Sequence, residues 1–540
     1  MEVFKIQDLT FSYPGSDRNV LDRVSLSVDE GEFILLMGRS GSGKTTLLNH
    51  LKSSMTPAGV RSGKVLYDGI DISETDPLVQ STDIGYVLQD PNGQTVTDKV
   101  WHELAFGAEN IGMDPDIISR RIADTSYFFD IADWYDRNVN DLSGGQKQLV
   151  NLAAVMVLQP RVLILDEPTA QLDPVAANEF LNAVYRINTE LGTTVIMTEH
   201  RVESVFNHAD RIILMEDGKI SDDRPPREMY RIISSGDGSY VSFLPTVMQV
   251  FKELGGTGEV PMSVREGRRW LASVTEDFAG PERTYDKFYP PVPGENAIEL
   301  KKIYFRYEKD SPDILRDLSI TVPKGTVLSL IGGNGRGKST LLRVISGASA
   351  PYSGKVILNS ERRPAVLPQE TGLLFSHDSV LEELQSVSDS EEEIRRVADM
   401  FSLNGILSNH PFDISMGQQQ CLGLALLLLS GSDILMLDEV TGGLDPIFKR
   451  KIGELFGELK KMGKTILSVS HDIEFCSMYS DNVGMLFDGR IIGTDRPHRF
   501  FYSNSFYTTV GTRLSKGILT NTVNAEDIIN LCRKEIAGSI

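Results

Sequence analysis

Cysteine is nearly absent: the 540-residue chain has three, Cys421, Cys476 and Cys532, far apart in sequence. That excludes a disulfide framework, a four-cysteine zinc site and a multi-cysteine iron–sulfur cluster. Long apolar runs are missing too. The longest, Cys421 to Leu429, is half a bilayer span or less, so no transmembrane helix is expected. Basic residues are outnumbered, 54 Lys plus Arg against 75 Asp plus Glu, for a net charge of −21. This balance speaks against a generic binder of nucleic-acid backbones, while leaving room for a local anion site built from backbone amides. The opening Met1-Glu2-Val3-Phe4-Lys5 lacks the basic and apolar segments of a signal peptide. The expectation is a cytosolic chain that reaches a membrane only through a partner.

What is present is the composition of a soluble globular protein, 41% hydrophobic and 24% charged, long enough for two large or four small domains. The chain also repeats itself. Phe11-Ser12-Tyr13 recurs as Phe305-Arg306-Tyr307, and the same offset of 294 carries Gly38 to Gly332 and Lys44 to Lys338. Later landmarks keep their order at smaller offsets, Asp166 to Asp438 and His200 to His471. A period this long is a tandem pair of whole domains, not a solenoid.

Each half reads as α/β, with short apolar runs such as Glu32–Met37 and Val162–Leu165 that suit buried parallel strands. Arg211 to Ile220 predicts a hairpin around Asp217-Gly218, mirrored by Asp488-Gly489. The expected division is a first domain over 1–240, a partly folded linker over 241–296, a second domain over 297–515 and a tail over 516–540. Within the linker, Leu244, Val247, Met248 and Phe251 have helical spacing, and Pro290-Pro291-Val292-Pro293-Gly294 suggests an extended stretch. The tail predicts a terminal helix capped by Asn524, with Asp527 in its first turn.

Two glycine-rich loops carry the chemistry. Gly38-Arg39-Ser40-Gly41-Ser42-Gly43-Lys44-Thr45 and Gly332-Gly333-Asn334-Gly335-Arg336-Gly337-Lys338-Ser339 both match G-x-x-x-x-G-K-[ST], each after an apolar run and before a helix-like stretch. Glycines let successive N–H groups point at phosphates, Lys44 and Lys338 add positive charge, and Thr45 and Ser339 offer a hydroxyl to Mg²⁺. Downstream, Val162–Glu167 and Ile434–Glu439 each end an apolar run in two acids. A buried strand closes on paired acids only with a cation or proton nearby. Asp166 and Asp438 therefore read as Mg²⁺ ligands, and Glu167 and Glu439 as catalytic groups that polarise the attacking water.

Leu142-Ser143-Gly144-Gly145-Gln146 completes the set. The chain resembles ATP-binding cassette (ABC) proteins, twice over. The resemblance implies an α/β fold of two tandem P-loop NTPase domains, each with a RecA-like core, a β subdomain and a helical signature subdomain. It implies an intramolecular pseudo-dimer, in which the phosphate loop of one half binds ATP against the signature of the other, Ser143, Gly144, Gly145 and Gln146 or Ser415, Gly417 and Gln418. It assigns Gln89 and Gln369 to the Mg²⁺-sensing Q-loop, His200 and His471 to the catalytic switch position, Tyr13 and Tyr307 to adenine stacking, and Thr46 and Thr340 to the nucleotide pocket. Leu172-Asp173 and Leu444-Asp445 match the D-loop. One departure stands out: the second signature reads Ile414-Ser415-Met416-Gly417-Gln418, so a thioether replaces a hydrogen near the expected γ-phosphate, and the site using it is expected to be slower.

Gln89-Asp90-Pro91-Asn92-Gly93-Gln94, followed by Val100–Asn110, looks like the Q-loop segment of energy-coupling factor (ECF) transporter ATPases. The second half has a shorter Gln369–Phe375 segment without that pattern. This resemblance implies the ATP-hydrolysing subunit of an importer for a vitamin, a vitamin precursor or a transition-metal ion. Its partners would be a transmembrane coupling protein and a substrate-binding membrane protein, with no nucleic acid, and the chain would lie peripherally on the cytoplasmic side of the cell membrane. Two alternatives compete with this reading. An ABC-F-like translation factor normally has a long basic linker, whereas residues 222–296 hold twelve acids, nine bases and eight prolines. The fused ATPase of a simple-sugar importer usually has a degraded second phosphate loop, and both loops are intact here.

Overall fold

The computed structural model describes residues 1–16, 18–276 and 294–538, with side chains to 535. It divides into two compact units, Met1–Pro245 and Thr246–Ile540. The proline stretch 290–293 lies outside the described residues.

In the first unit a mixed six-stranded sheet runs in the order Lys219–Arg224, Arg211–Glu216, Phe33–Gly38, Thr194–Thr198, Val162–Asp166, Ile84–Val87. All neighbours are parallel except the Lys219–Arg224 hairpin edge. The inner strands are buried at every position, which is why they read as apolar runs without alternation. An antiparallel sheet built on Glu2–Ser12 packs alongside, its buried residues Phe4, Ile6, Leu9 and Phe11 sharing one core with Leu36 and Ile164. The hairpin turns at Asp217 and Gly218 with φ of 45° and 80°, the left-handed pair that a two-residue turn requires.

The second unit repeats this plan. Its sheet order is Ala365–Leu367, Ile434–Asp438, Thr465–Ser470, Val327–Ile331, Asn482–Phe487, Arg490–Asp495. The helix Met416–Leu429 contains the longest apolar run and is buried over almost its whole length. Among the described residues, no helix is long and apolar enough to cross a membrane.

The segments read from sequence as linker and tail fold together. Helices Thr246–Glu253, Val264–Val274, Val510–Ser515 and Ala525–Gly538 share a core that includes Val247, Val250, Leu271, Leu514, Ile528 and Leu531. Asn524 does cap the last helix, its Oδ1 accepting from Asp527 N–H at 2.9 Å. Asp527 in turn accepts from Val523 N–H at 3.0 Å and meets His498 Nε2 at 2.9 Å. The terminal helix is therefore docked by burial and by a buried acid, not loose. The first unit continues to Pro245 because Tyr240, Phe243 and Leu244 are buried.

Candidate nucleotide sites

Each phosphate loop leaves the carboxyl end of a central parallel strand, where the open α/β sheet forms its ligand crevice. In the first unit Gly38, Gly41 and Gly43 have φ of 149°, 79° and 98°, values that side-chain-bearing residues avoid. A Cβ at Gly38 would lie about 2.8 Å from Ser42 Oγ, so the close turn admits only glycine. Lys44 is 6% exposed. With its charge buried it must find acceptors, and its Nζ donates to the carbonyls of Gly38 at 2.9 Å and Arg39 at 3.1 Å. Lys338 repeats this with Gly332 at 2.9 Å and Gly333 at 3.3 Å. The helices Lys44–Asn49 and Lys338–Ser346 start at the lysines. The geometry is an anion cradle of amides and an ammonium.

The carboxylates converge on both cradles. Thr45 Oγ1 donates to Asp166 Oδ1 at 3.2 Å. Glu167 pairs with His200 Nε2 at 2.8 Å and accepts from Gln89 Nε2 at 3.1 Å. In the second unit, Glu439 lies 2.6 Å from His471 Nδ1 and 3.4 Å from Lys338 Nζ. Both glutamates have positive φ, 45° and 54°, a conformation non-glycine residues adopt at about 1–3 kcal/mol and characteristically at functional sites. Burial pushes the Asp438 carboxyl up to about 6 and raises Asp166 as well. Burial pushes Glu439 the same way, but His471 and Lys338 overcome it and hold that carboxyl down at about 2. Glu439 is thus anionic and ready to orient a water.

These residues fit a hydrated Mg²⁺. They offer hard oxygens, a carboxylate and a hydroxyl per site, the usual protein share when substrate phosphates and waters complete the shell. Asp438 Oδ1 is buried with no hydrogen-bond partner among the described residues, an acceptor waiting for a cation.

Other predicted residues divide. Tyr13 and Tyr307 stand 40% and 56% exposed at the loops, their hydroxyls 3.2 Å from Thr46 and Thr340. An exposed ring held this way can stack on a base, and the two threonines serve as its tethers. Gln369 is exposed and, unlike Gln89, makes no hydrogen bond to the unit's glutamate. Ser143 and Ser415 each cap the helix that follows with a complete capping box through Gln146 and Gln418. Gly145 and Gly417 are required by packing: a Cβ would lie 2.5 Å from Ala176 Cβ or 2.7 Å from Phe448 Cδ1. Met416, by contrast, is 43% exposed, so it leaves the helix start intact and alters only what can approach it. Asp173 and Asp445 cap the helices Pro174–Leu191 and Pro446–Lys461.

The comparisons with known proteins decide the family. The family model described as "ABC transporter" matches residues 21–170 and 315–442. A Bacillus cereus protein named as an ABC transporter ATP-binding protein is 40% identical over 556 residues, covering 99% of each chain. The chain belongs to the ABC transporter ATP-binding family. A Methanosarcina mazei protein of the same name is 31% identical over 90% of this chain and 88% of its own. In fold, the tandem-cassette chain is similar over 92% of both chains, with a TM-score of 0.59 and 20% identity, to the archaeal ribosome recycling factor aABCE1 in its complex with the ribosomal stalk protein aP1. This chain is thus an ATP-binding protein of tandem-cassette type whose two ABC ATPase domains imply ATP hydrolysis.

Sequence reasoning missed several residues of this ATPase. Glu199, 3% exposed, accepts four hydrogen bonds: from Thr169 N–H at 3.1 Å and the Thr169 hydroxyl, and from the N–H groups of His200 at 2.9 Å and Arg201 at 3.0 Å. It ties the turn after Glu167 to His200. An acid directly after an apolar strand was the available signal. Glu199→Gln turns one acceptor oxygen into a donor facing donors, and is expected to destabilise the nucleotide-free protein by about 1–3 kcal/mol, read as a lowered thermal midpoint.

Glu103, within the segment Val100–Asn110, is another such residue. It is 5% exposed and accepts from Thr97 N–H and Oγ1, both at 2.8 Å, so it braces the loop after Gln89 and cannot serve as an exposed contact. Glu383, 1% exposed, does the same for Ser376 and His377 N–H. The second half therefore keeps this brace, followed by the helix Val380–Val387, although its sequence pattern is shortened beyond recognition.

Proposed function

We propose that the chain is the ATP-hydrolysing, energy-coupling subunit of an ECF-type importer for a vitamin, vitamin precursor or transition-metal ion, working from the cytoplasmic membrane face with integral membrane subunits. The observation that carries this reading is the surface beside Gln89. On the helix Val100–Asn110, Val100, Leu104 and Ala108 are buried, but Trp101 and Phe106 are 38% and 40% exposed, with Val96 at 61% in the loop before. Only part of the helix's apolar surface is therefore core. Exposed aromatics of this kind suit the anchor of a protein partner, and Gln89, hydrogen-bonded to Glu167, links that segment to the catalytic carboxylate. Mg²⁺, held by Thr45 and Asp166 or Ser339 and Asp438, would supply positive charge to the phosphate oxygens when bound. Glu167 and Glu439 polarise the water and the loop lysines balance phosphate charge.

Affinity purification from detergent-solubilised membranes is expected to recover small multi-helix subunits, and Trp101→Asp with Phe106→Asp to lower that recovery at least about tenfold, by burying two charges in the interface. ATP binding is expected to stay unchanged. Co-sedimentation with ribosomes in place of membrane subunits would overturn the importer reading in favour of a translation or recycling factor.

A further inference from the structure

The two cation-side carboxylates differ by one isosteric neighbour. Strand Val162–Asp166 pairs in parallel with Thr194–Thr198 in a register that sets Thr198 beside Asp166. The equivalent register in the second unit sets Val469 beside Asp438. Thr198 is fully buried, and its hydroxyl uses both of its capacities: it accepts from Glu167 N–H at 2.9 Å and donates to Asp166 Oδ1 at 2.7 Å. Thr45 reaches the same oxygen at 3.2 Å. Val469 has a methyl group where Thr198 has its hydroxyl, so no such donor reaches Asp438. The Ser339 hydroxyl bears on this carboxyl, yet Oδ1 stays buried without a hydrogen-bond partner among the described residues. Burial does not explain the contrast, because both aspartates are 8% exposed.

We propose that Thr198 and Val469 make the two nucleotide sites unequally dependent on their divalent cation. In the first site, Asp166 is satisfied by hydroxyl donors before a cation arrives, so the cation adds less and nucleotide binds nearly as well without it. In the second, the cation is the missing partner of one buried carboxylate oxygen, Asp438 Oδ1, which no hydroxyl of the neighbouring strand reaches. That site holds its cation more tightly and needs it to bind nucleotide. A hydrogen bond to a charged group shifts an equilibrium by about 10–100-fold, which sets the scale expected here. The proposal rests on the reading that Asp166 and Asp438 carry the cation.

The test uses the full chain with one loop disabled, Lys338→Ala to read the first site and Lys44→Ala to read the second. Binding of a fluorescent, non-hydrolysed ATP analogue is measured with Mg²⁺ and with EDTA, and the ratio of the two dissociation constants gives the cation dependence of each site. The ratio is expected to be about tenfold larger at the second site. Thr198→Val is expected to raise the first-site ratio and Val469→Thr to lower the second, since the new hydroxyl faces an acceptor already in place. Val469→Thr decides alone if Thr198→Val does not fold. Equal ratios, or ratios indifferent to both exchanges, would overturn the proposal. Asp166→Asn and Asp438→Asn separate the underlying reading: if neither reduces cation dependence at its own site, the carboxylates do not carry the cation, whatever the exchanges show.

Discussion

Replacing both loop lysines, Lys44→Ala with Lys338→Ala, is expected to abolish ATP binding by the full chain, while each single variant halves the stoichiometry from two nucleotides to one. The reason is local. Each lysine is nearly buried, at 6% and 7% exposure, and its ammonium is held by the carbonyls of its own loop. Alanine removes the positive charge opposite the phosphates and leaves those carbonyls without a donor, so the cradle loses both its electrostatics and its shape. A loss of more than about 100-fold per site follows from removing a buried charge–phosphate contact worth about 3 kcal/mol or more. Equilibrium dialysis with labelled ATP reads the stoichiometry directly. Two nucleotides still bound by the double variant would show that the glycine loops are not the nucleotide sites.

The second large effect concerns hydrolysis without loss of binding. Glu167→Gln with Glu439→Gln is expected to lower ATPase turnover by about 10²–10⁴, measured as phosphate release, with ATP affinity retained. The amide keeps the size and polarity of the carboxylate but cannot draw a proton from water. In both units the glutamate is already oriented, by His200 and Gln89 in one and by His471 and Lys338 in the other. The single variants are expected to differ, with Glu439→Gln costing more, because in the arrangement the family resemblance implies the first loop works against the signature that contains Met416. That side chain is 43% exposed at the start of an otherwise normal capped helix, so Met416→Gly is expected to raise turnover without a change in stability. Equal losses from the two glutamine variants, with no gain from Met416→Gly, would mean that the sites fire together and the methionine is harmless.

The sequence by itself determined the duplication and the α/β class, and it singled out the residues proposed for both nucleotide sites. Phosphate loops, paired acids and the signature are contiguous motifs, because tight turns, strand ends and helix caps are local structures whose residues are neighbours in the chain. Even the terminal cap at Asn524 was legible on this ground. Tertiary structure alone decided what depends on residues brought together across the sheet. Thr198 meets Asp166 only through the register of two parallel strands. Glu199 is a four-fold acceptor only because its strand end lies beside the turn carrying Thr169. The inward aim of Glu103 and Glu383, and the packing that turns linker and tail into one helical cluster, likewise come from burial against distant segments. A buried polar group is defined by its partners, and those partners are set by folding, not by spacing along the chain.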